Sequence, residues 1–324
     1  MVSGKGGVGK TVVSSALALI ASRRGKNVLL VKLDDQGRTA QLFQTPPLTD
    51  RIAPLRDNIS AVNLDPKTII GDYLLKQLKL RRLVDMIIGS RLFDAWFRVS
   101  PAIPEMISLG KVDALVDERS WWRQTPVWDL VVFDAPATGH GLGILRLPEQ
   151  ASKLLIGPMR KNALAVQALL EDATRTSLVL VTIPEEMPVN EAVHFHEEAK
   201  SKTRVPLSCV ILNAAHPRRL PGGEGALAEV DAALASPAGE AALRSLGQPG
   251  PALAPAVVRK ASEWSQVRGE LTDRYRAELE RRIPLPLIEV PYVFAERFGM
   301  PELERVATHL QPILEALPEP GARA

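Results

Sequence analysis

Short apolar runs alternate with longer stretches of helical spacing along the chain. The runs Asn27–Leu33 (NVLLVKL), Ile59–Leu64 (ISAVNL), Val127–Phe133 (VWDLVVF), Ser177–Thr182 (SLVLVT), Leu207–Leu212 (LSCVIL) and Pro286–Val290 (PLIEV) are strand-length and rich in β-branched residues. Between them, Lys10–Arg23, Lys161–Asp172 and Asn190–Ala199 place apolar residues at helical spacing. Strands separated by helices predict βαβ units, hence an α/β fold with a mainly parallel, doubly wound sheet.

Residues 66–124 break the alternation, because they contain no convincing strand. They read as a helical insertion, with breaks expected at Pro101 and Pro104. Its apolar stripe (Leu83, Met86, Ile87, Leu92, Phe93, Trp96, Phe97, Met106, Ile107 and Leu109) reads either as core or as a groove for a hydrophobic client. The basic cluster Lys76, Lys79, Arg81 and Arg82 reads as a solvated helix face. Residues 215–255 are rich in Pro, Gly and Ala, and an irregular or helical excursion is expected over 215–282. The tail 317–324 should fray, and the helix before it, with Pro312 inside, is too weakly basic for a membrane anchor. The whole of 1–324 reads as one domain.

Composition narrows the options. Hydrophobic residues make up 46% and charged residues 24%, as in ordinary soluble proteins. Lys+Arg 40 against Asp+Glu 37 leaves +3, so nothing argues for nucleic acid as a partner. No apolar run approaches the roughly 18 residues of a membrane helix, and no signal-peptide pattern opens the chain, so a cytoplasmic protein is the simplest expectation. Cys209 is the only cysteine, expected buried in its strand, which excludes an intrachain disulfide or a CxxC zinc clamp. His194 and His196 lie two apart and would not share a helix face, so they make a poor metal site.

The chemistry concentrates near the start. Ser3-Gly4-Lys5-Gly6-Gly7-Val8-Gly9-Lys10-Thr11 satisfies G-x-x-x-x-G-K-[ST] and leads straight into the apolar-periodic helix TVVSSALALIASRRG. Glycines let the backbone amides turn inward, and the helix N-terminus adds partial positive charge. Residues Gly4 to Val12 are therefore the expected phosphate cradle, with Lys10 on the β- and γ-phosphates and the Thr11 hydroxyl on Mg²⁺. The expected cofactors are ATP and Mg²⁺. Lys5 has little room to pack inside its own loop and should reach across a face-to-face homodimer to the partner's nucleotide. A phosphate loop normally follows a central strand, yet only Met1 and Val2 precede Ser3. That strand is either a stub or starts upstream of Met1, and the second is favoured.

Two acids end strands beside the loop. Asp34, after the apolar run 27–33, is the choice for orienting the attacking water, with Asp35 as its competitor. Asp134 ends the run 127–133 and suits a group standing behind the metal ion. The Gly-bracketed segment after it, with His140, is expected to change path when the γ-phosphate leaves.

The loop SGKGGVGKT resembles that of the deviant Walker A ATPases. DAPATGH at 134–140, VNLDP at 62–66, IPEEMPVNE at 183–191 and ILNA at 211–214 are similar to the anion-transporting, or arsenite-pump and tail-anchored-protein-targeting, branch. The resemblance implies a P-loop NTPase fold, Asp34 as the water-activating acid, Lys5 acting in trans, and Asn213 reading the adenine. It also implies that the loop from Pro291 through Tyr292 to Phe294 lies against the base. The chain departs from the family at switch I, where DDQGR lacks the usual Pro and His, and in the position of the DAPATGH proline. A lone cysteine also argues against arsenite stimulation and a zinc-clamped dimer.

The expected function is an Mg-ATP-hydrolysing dimeric switch acting on a membrane-protein partner or hydrophobic client. The rivals are a partition- or septum-type positioning ATPase, which would need a basic surface or tail, and a nucleotide-holding chaperone with negligible turnover.

Overall fold

Alternation within the strands sets the layers. The computed structural model describes residues 1–33, 35–99, 102–120, 124–136, 141–218, 225–245 and 254–316. In β2 (Val28–Leu33), Val28 and Leu30 face one side of the sheet and pack with α1 (Lys10–Arg23) and α13 (Met300–Ala316). Leu29 and Val31 face the other side, with Leu109 of α6 (Ala102–Val116), Ile144 of α7 (Gly141–Leu154) and Val166 of α8 (Gly157–Glu171). A third cluster joins Val210 and Leu212 of β7 (Leu207–Ala215) to Val189 of α9 (Glu186–Lys202) and Leu279 of α12 (Ala254–Arg282). Helices thus cover both faces, which buries strands on both sides and explains their near-continuous apolar runs.

The remaining strands are β1 (Val2–Ser3), β3 (Ala53–Arg56), β4 (Ile59–Leu64), β5 (Leu130–Asp134), β6 (Leu178–Thr182) and β8 (Leu287–Pro291). Their order is β3-β4-β2-β5-β1-β6-β7-β8, parallel throughout except for the antiparallel β3–β4 pair at one edge. The doubly wound α/β architecture is as expected. β4 and α1 lie where the pattern placed them, and the other expected strands differ by a few residues at their ends. β1 is a two-residue strand between β5 and β6, and the Met1 amino group donates to the Ser177 carbonyl at 2.8 Å. Burial pushes that amine down to about 6. Cys209 is buried in β7, where burial pushes its thiol up to about 11.

The insertion consists of α3 (Pro66–Leu78), α4 (Arg81–Ile88), α5 (Arg91–Val99) and α6. Asp65 caps α3 by accepting from the Lys67 and Thr68 amides, with Pro66 at the first helical position where its missing N–H costs nothing. The break expected at Pro104 does not occur, because Pro104 is the third residue of α6, where amides have no helical acceptor to lose. Pro101 lies outside the described residues. The apolar stripe divides: Leu109 is core, whereas Met86 and Leu92 are 66% and 82% exposed. The Trp96 side chain lies outside the described residues, as does the tail 317–324.

Residues 215–282 hold α10 (Ala226–Leu234) and α11 (Pro237–Ser245), then the 29-residue α12, longer than the irregular composition suggested. The apolar stripe of α13 is core: Leu303, Val306, Leu310 and Ile313 are buried on the α1 side of the sheet. No helix among the described residues is long and apolar enough to cross a membrane. Because Leu310 is fully buried in this contact, Leu310→Ala should lower unfolding stability by about 2–5 kcal/mol, read from urea denaturation.

Candidate functional site

The loop from Gly4 to Gly9 joins the C-terminal end of the central strand β1 to the N-terminus of α1. Gly4 has φ +149°, and a Cβ there would stand 2.2 Å from the Val181 carbonyl oxygen of neighbouring β6. Gly9 has φ +93°, and a Cβ there would stand 2.2 Å from Asn213 Nδ2. Both positions demand glycine, for conformation and for space. α1 has no side-chain cap and no acid in its first turn, so its opening amides keep their capacity for an anion. The buried Lys10 folds back over the loop, its Nζ donating to the Gly4 and Lys5 carbonyls at 2.9 Å each. Burial holds this ammonium below the ordinary lysine range, Asp134 opposes that, and the charge of Lys32 adds to it.

Strand register builds the rest. Lys32 of β2 and Val2 of β1 are both aligned with Asp134 of β5, so the C-terminal ends of three adjacent strands meet beside the loop. Period-2 alternation sends Lys32 and Asp134 to the α1 face, following Val28, Leu30 and Val132. There Thr11 Oγ1 donates to Asp134 Oδ2 at 3.0 Å, while Lys32 Nζ donates to Thr11 Oγ1 at 2.8 Å and to Asp134 Oδ2. Asp35 Oδ1 lies 3.8 Å from Lys32 Nζ and accepts from the Thr39 hydroxyl and amide, at the start of α2 (Arg38–Phe43). Asp134 Oδ1 and Asp35 Oδ2 are buried without a hydrogen-bond partner among the described residues.

The other expected site residues fall along the same rim. Asn213, near the end of β7, donates from Nδ2 to the Val8 carbonyl at 2.8 Å, so the structure brings it to the loop. Val12 packs against the core cluster beneath α1. Pro291 ends β8, and the Tyr292 amide donates to the Ala215 carbonyl at 2.8 Å. The Tyr292 ring stacks on His216 with centroids 4.7 Å apart and meets Phe294 at 4.6 Å. Lys5 finds an acceptor outside its own loop but within its own chain: its Nζ lies 2.6 Å from Glu191 Oε1 of α9, and both side chains are partly exposed. Asp34 lies outside the described residues, as do 137–140 of the switch segment with His140.

A model of the anion-transporting ATPase family matches residues 1–163. The chain belongs to that family. It is 31% identical over 228 residues to ATPase BagA of Mycobacterium tuberculosis, an alignment covering 68% of this chain and 66% of that protein. It is 31% identical over 218 residues to an arsenical pump-driving ATPase of Escherichia coli, covering 60% of this chain and 36% of the relative. An ATPase ASNA1 homolog of Paramecium tetraurelia is 26% identical over 254 residues, covering 65% of this chain and 74% of the relative. The chain thus matches just under two thirds of the length of its mycobacterial relatives and about a third of that of the bacterial pump ATPases. Each of these three relatives is named as an ATPase.

Two residues of this site escaped the reading of the sequence. Lys32 passed as one polar residue in an apolar run; the signal was alternation, which sets it on the face of the first helix. Glu191 closes the IPEEMPVNE segment, but nothing there pointed to Lys5, to which the chain brings it from 186 residues away. Replacing Gly9 by Ala drives a methyl group into Asn213, so Gly9→Ala should weaken binding of a fluorescent ATP analogue by at least about tenfold, the scale of one lost charge-assisted contact.

Proposed function

We propose that this chain hydrolyses ATP with magnesium and works in the cytoplasm as a homodimeric switch, closing on ATP and reopening after hydrolysis. Residues 1–324 act together as one P-loop ATPase domain, with the insertion at about 66–124 and the excursion at about 215–282 as its outworks. The observation that carries the reading is the uncapped start of α1 beneath a glycine loop whose lysine, Lys10, rests on the loop's own carbonyls. A terminal phosphate offers that ammonium stronger acceptors than neutral carbonyls do.

The residues fit a magnesium ion. Thr11 presents a hydroxyl oxygen, a hard donor such an ion takes, and Asp134 a carboxylate standing behind it, whose Oδ1 is buried with no hydrogen-bond partner among the described residues. Bound there, the ion supplies charge neutralisation for the β- and γ-phosphates. Lys10 then binds the phosphates, and Asp34 orients water. Lys5 leaves Glu191 for the nucleotide of the second subunit, and Asn213 with the Pro291–Tyr292 segment borders the base. The output is assigned to a hydrophobic client or membrane-protein partner, supported by the exposure of Met86 and Leu92 on the insertion and of Leu154 and Ile156 between α7 and α8. Nucleic acid is not among the partners, in keeping with the near-balanced charge.

Steady-state phosphate release tests the reading. Wild-type protein should turn over ATP, and Lys10→Ala should bind and hydrolyse none; a wild-type chain with neither binding nor turnover sinks the proposal. Lys5→Ala should keep ATP binding and lose turnover by roughly 10³-fold, the scale of a charge supplied across a subunit boundary, and unchanged turnover would remove the trans role. Asp34→Asn should slow hydrolysis by about 100-fold or more and hold the dimer together in size-exclusion runs with ATP. If Asp35→Asn does so instead, Asp35 is the water-orienting acid.

A further inference from the structure

Lys32 is not part of any phosphate-loop pattern, yet it sits among the oxygens assigned to the metal ion. Its ammonium is bonded to Thr11 Oγ1 at 2.8 Å and to Asp134 Oδ2, with Asp35 Oδ1 at 3.8 Å. Lys32 and Asp134 are each 4% exposed. A buried ammonium is retained only where anions and acceptors replace its lost hydration, and here the replacement is the Thr11–Asp134 pair itself. The strand register makes the arrangement unavoidable, because Lys32 and Asp134 are direct partners on β2 and β5 and point to the same face.

From this geometry, we propose that Lys32 is a tethered cation that holds the Thr11 and Asp134 oxygens in the nucleotide-free chain and competes with Mg²⁺ for them. The inference rests on assigning those oxygens to the ion. A second cation entering this small buried oxygen cluster is repelled by the ammonium, since charge is poorly screened there. The long side chain of Lys32 has a second carboxylate within reach, Asp35, whose Oδ2 is buried without a partner among the described residues. Displacement of Lys32 toward Asp35 would deliver the ammonium to the segment that opens α2. Lys32 thus sets how much free Mg²⁺ the site requires, and it keeps Asp134 compensated when no ion is present.

The test is a Mg²⁺ titration of the full-length chain at a fixed concentration of a fluorescent ATP analogue, in wild type, Lys32→Met and Lys32→Gln. Gln keeps a donor toward Asp134 without the charge, which safeguards the experiment if the Met variant fails to fold; circular dichroism and the urea midpoint report folding. Removing the competing charge should lower the half-saturating free Mg²⁺ by at least about tenfold, as expected when one unit charge leaves a buried site. A folded variant whose half-saturation is unchanged or higher overturns the competition. Failure of the wild-type chain to bind the analogue at saturating Mg²⁺ overturns the ATPase reading, and this inference falls with it.

Discussion

A parallel strand at the centre of a sheet ends with its polar main chain turned toward one rim, and everything functional in this molecule depends on where that rim lies. β1 is held between β5 and β6, so the loop that follows it must emerge beside the ends of both. With β2 next to β5, Lys32 of β2, Asp134 of β5 and Val2 of β1 share one register near the strand ends. The residues that finish those strands on the α1 side cannot avoid one another. Thr11 enters the same space because α1 has to start directly above β1. A rim of this kind, with helices on both faces, is where open parallel sheets place their ligands.

How much of this the sequence displayed follows from the range of each cause. The phosphate loop was legible because its requirements are local: glycine at φ +93° and +149°, a lysine, and a helix directly after. β4 and α1 were legible because each is a strongly patterned run. β3 was not, being four residues with a proline and an arginine, held by antiparallel pairing at the sheet edge and by Leu55 in the core. α12 was obscured by the Pro- and Gly-rich stretch before it, and its core contacts, such as Tyr275 and Leu279, are made with distant strands and with α9. The apolar stripe of α13 carried no sign of its destination, since only the fold shows that it covers α1.

Site residues follow the same division. Asn213 was named from a resemblance, as a contact of the adenine, because no local pattern marks it; the structure sets its Nδ2 2.8 Å from the Val8 carbonyl of the loop. Lys32 was passed over because nothing local to NVLLVKL singles out its lysine. What that reading lacked was the neighbour: only the β2–β5 pairing sets an aspartate beside it. Burying both at once is far cheaper than burying either alone, which is why a lysine in a central strand is tolerated there.

A common feature unites the lysines around the loop. Lys10 rests on the carbonyls of Gly4 and Lys5, Lys5 on Glu191, and Lys32 on Asp134 and Thr11. Each ammonium therefore already has an oxygen of its own chain as a partner. A polyanion with its counter-ion must exchange these partners rather than fill a vacuum of positive charge, so net affinity reflects the difference between two sets of charge-assisted bonds. The exchange is unequal. Lys10 gives up neutral carbonyls, whereas Lys5 and Lys32 give up carboxylates, and Lys32 does so in a buried setting where the loss is largest. Of the three, the contacts of Lys10 are therefore the least costly to exchange, and those of Lys32 the most.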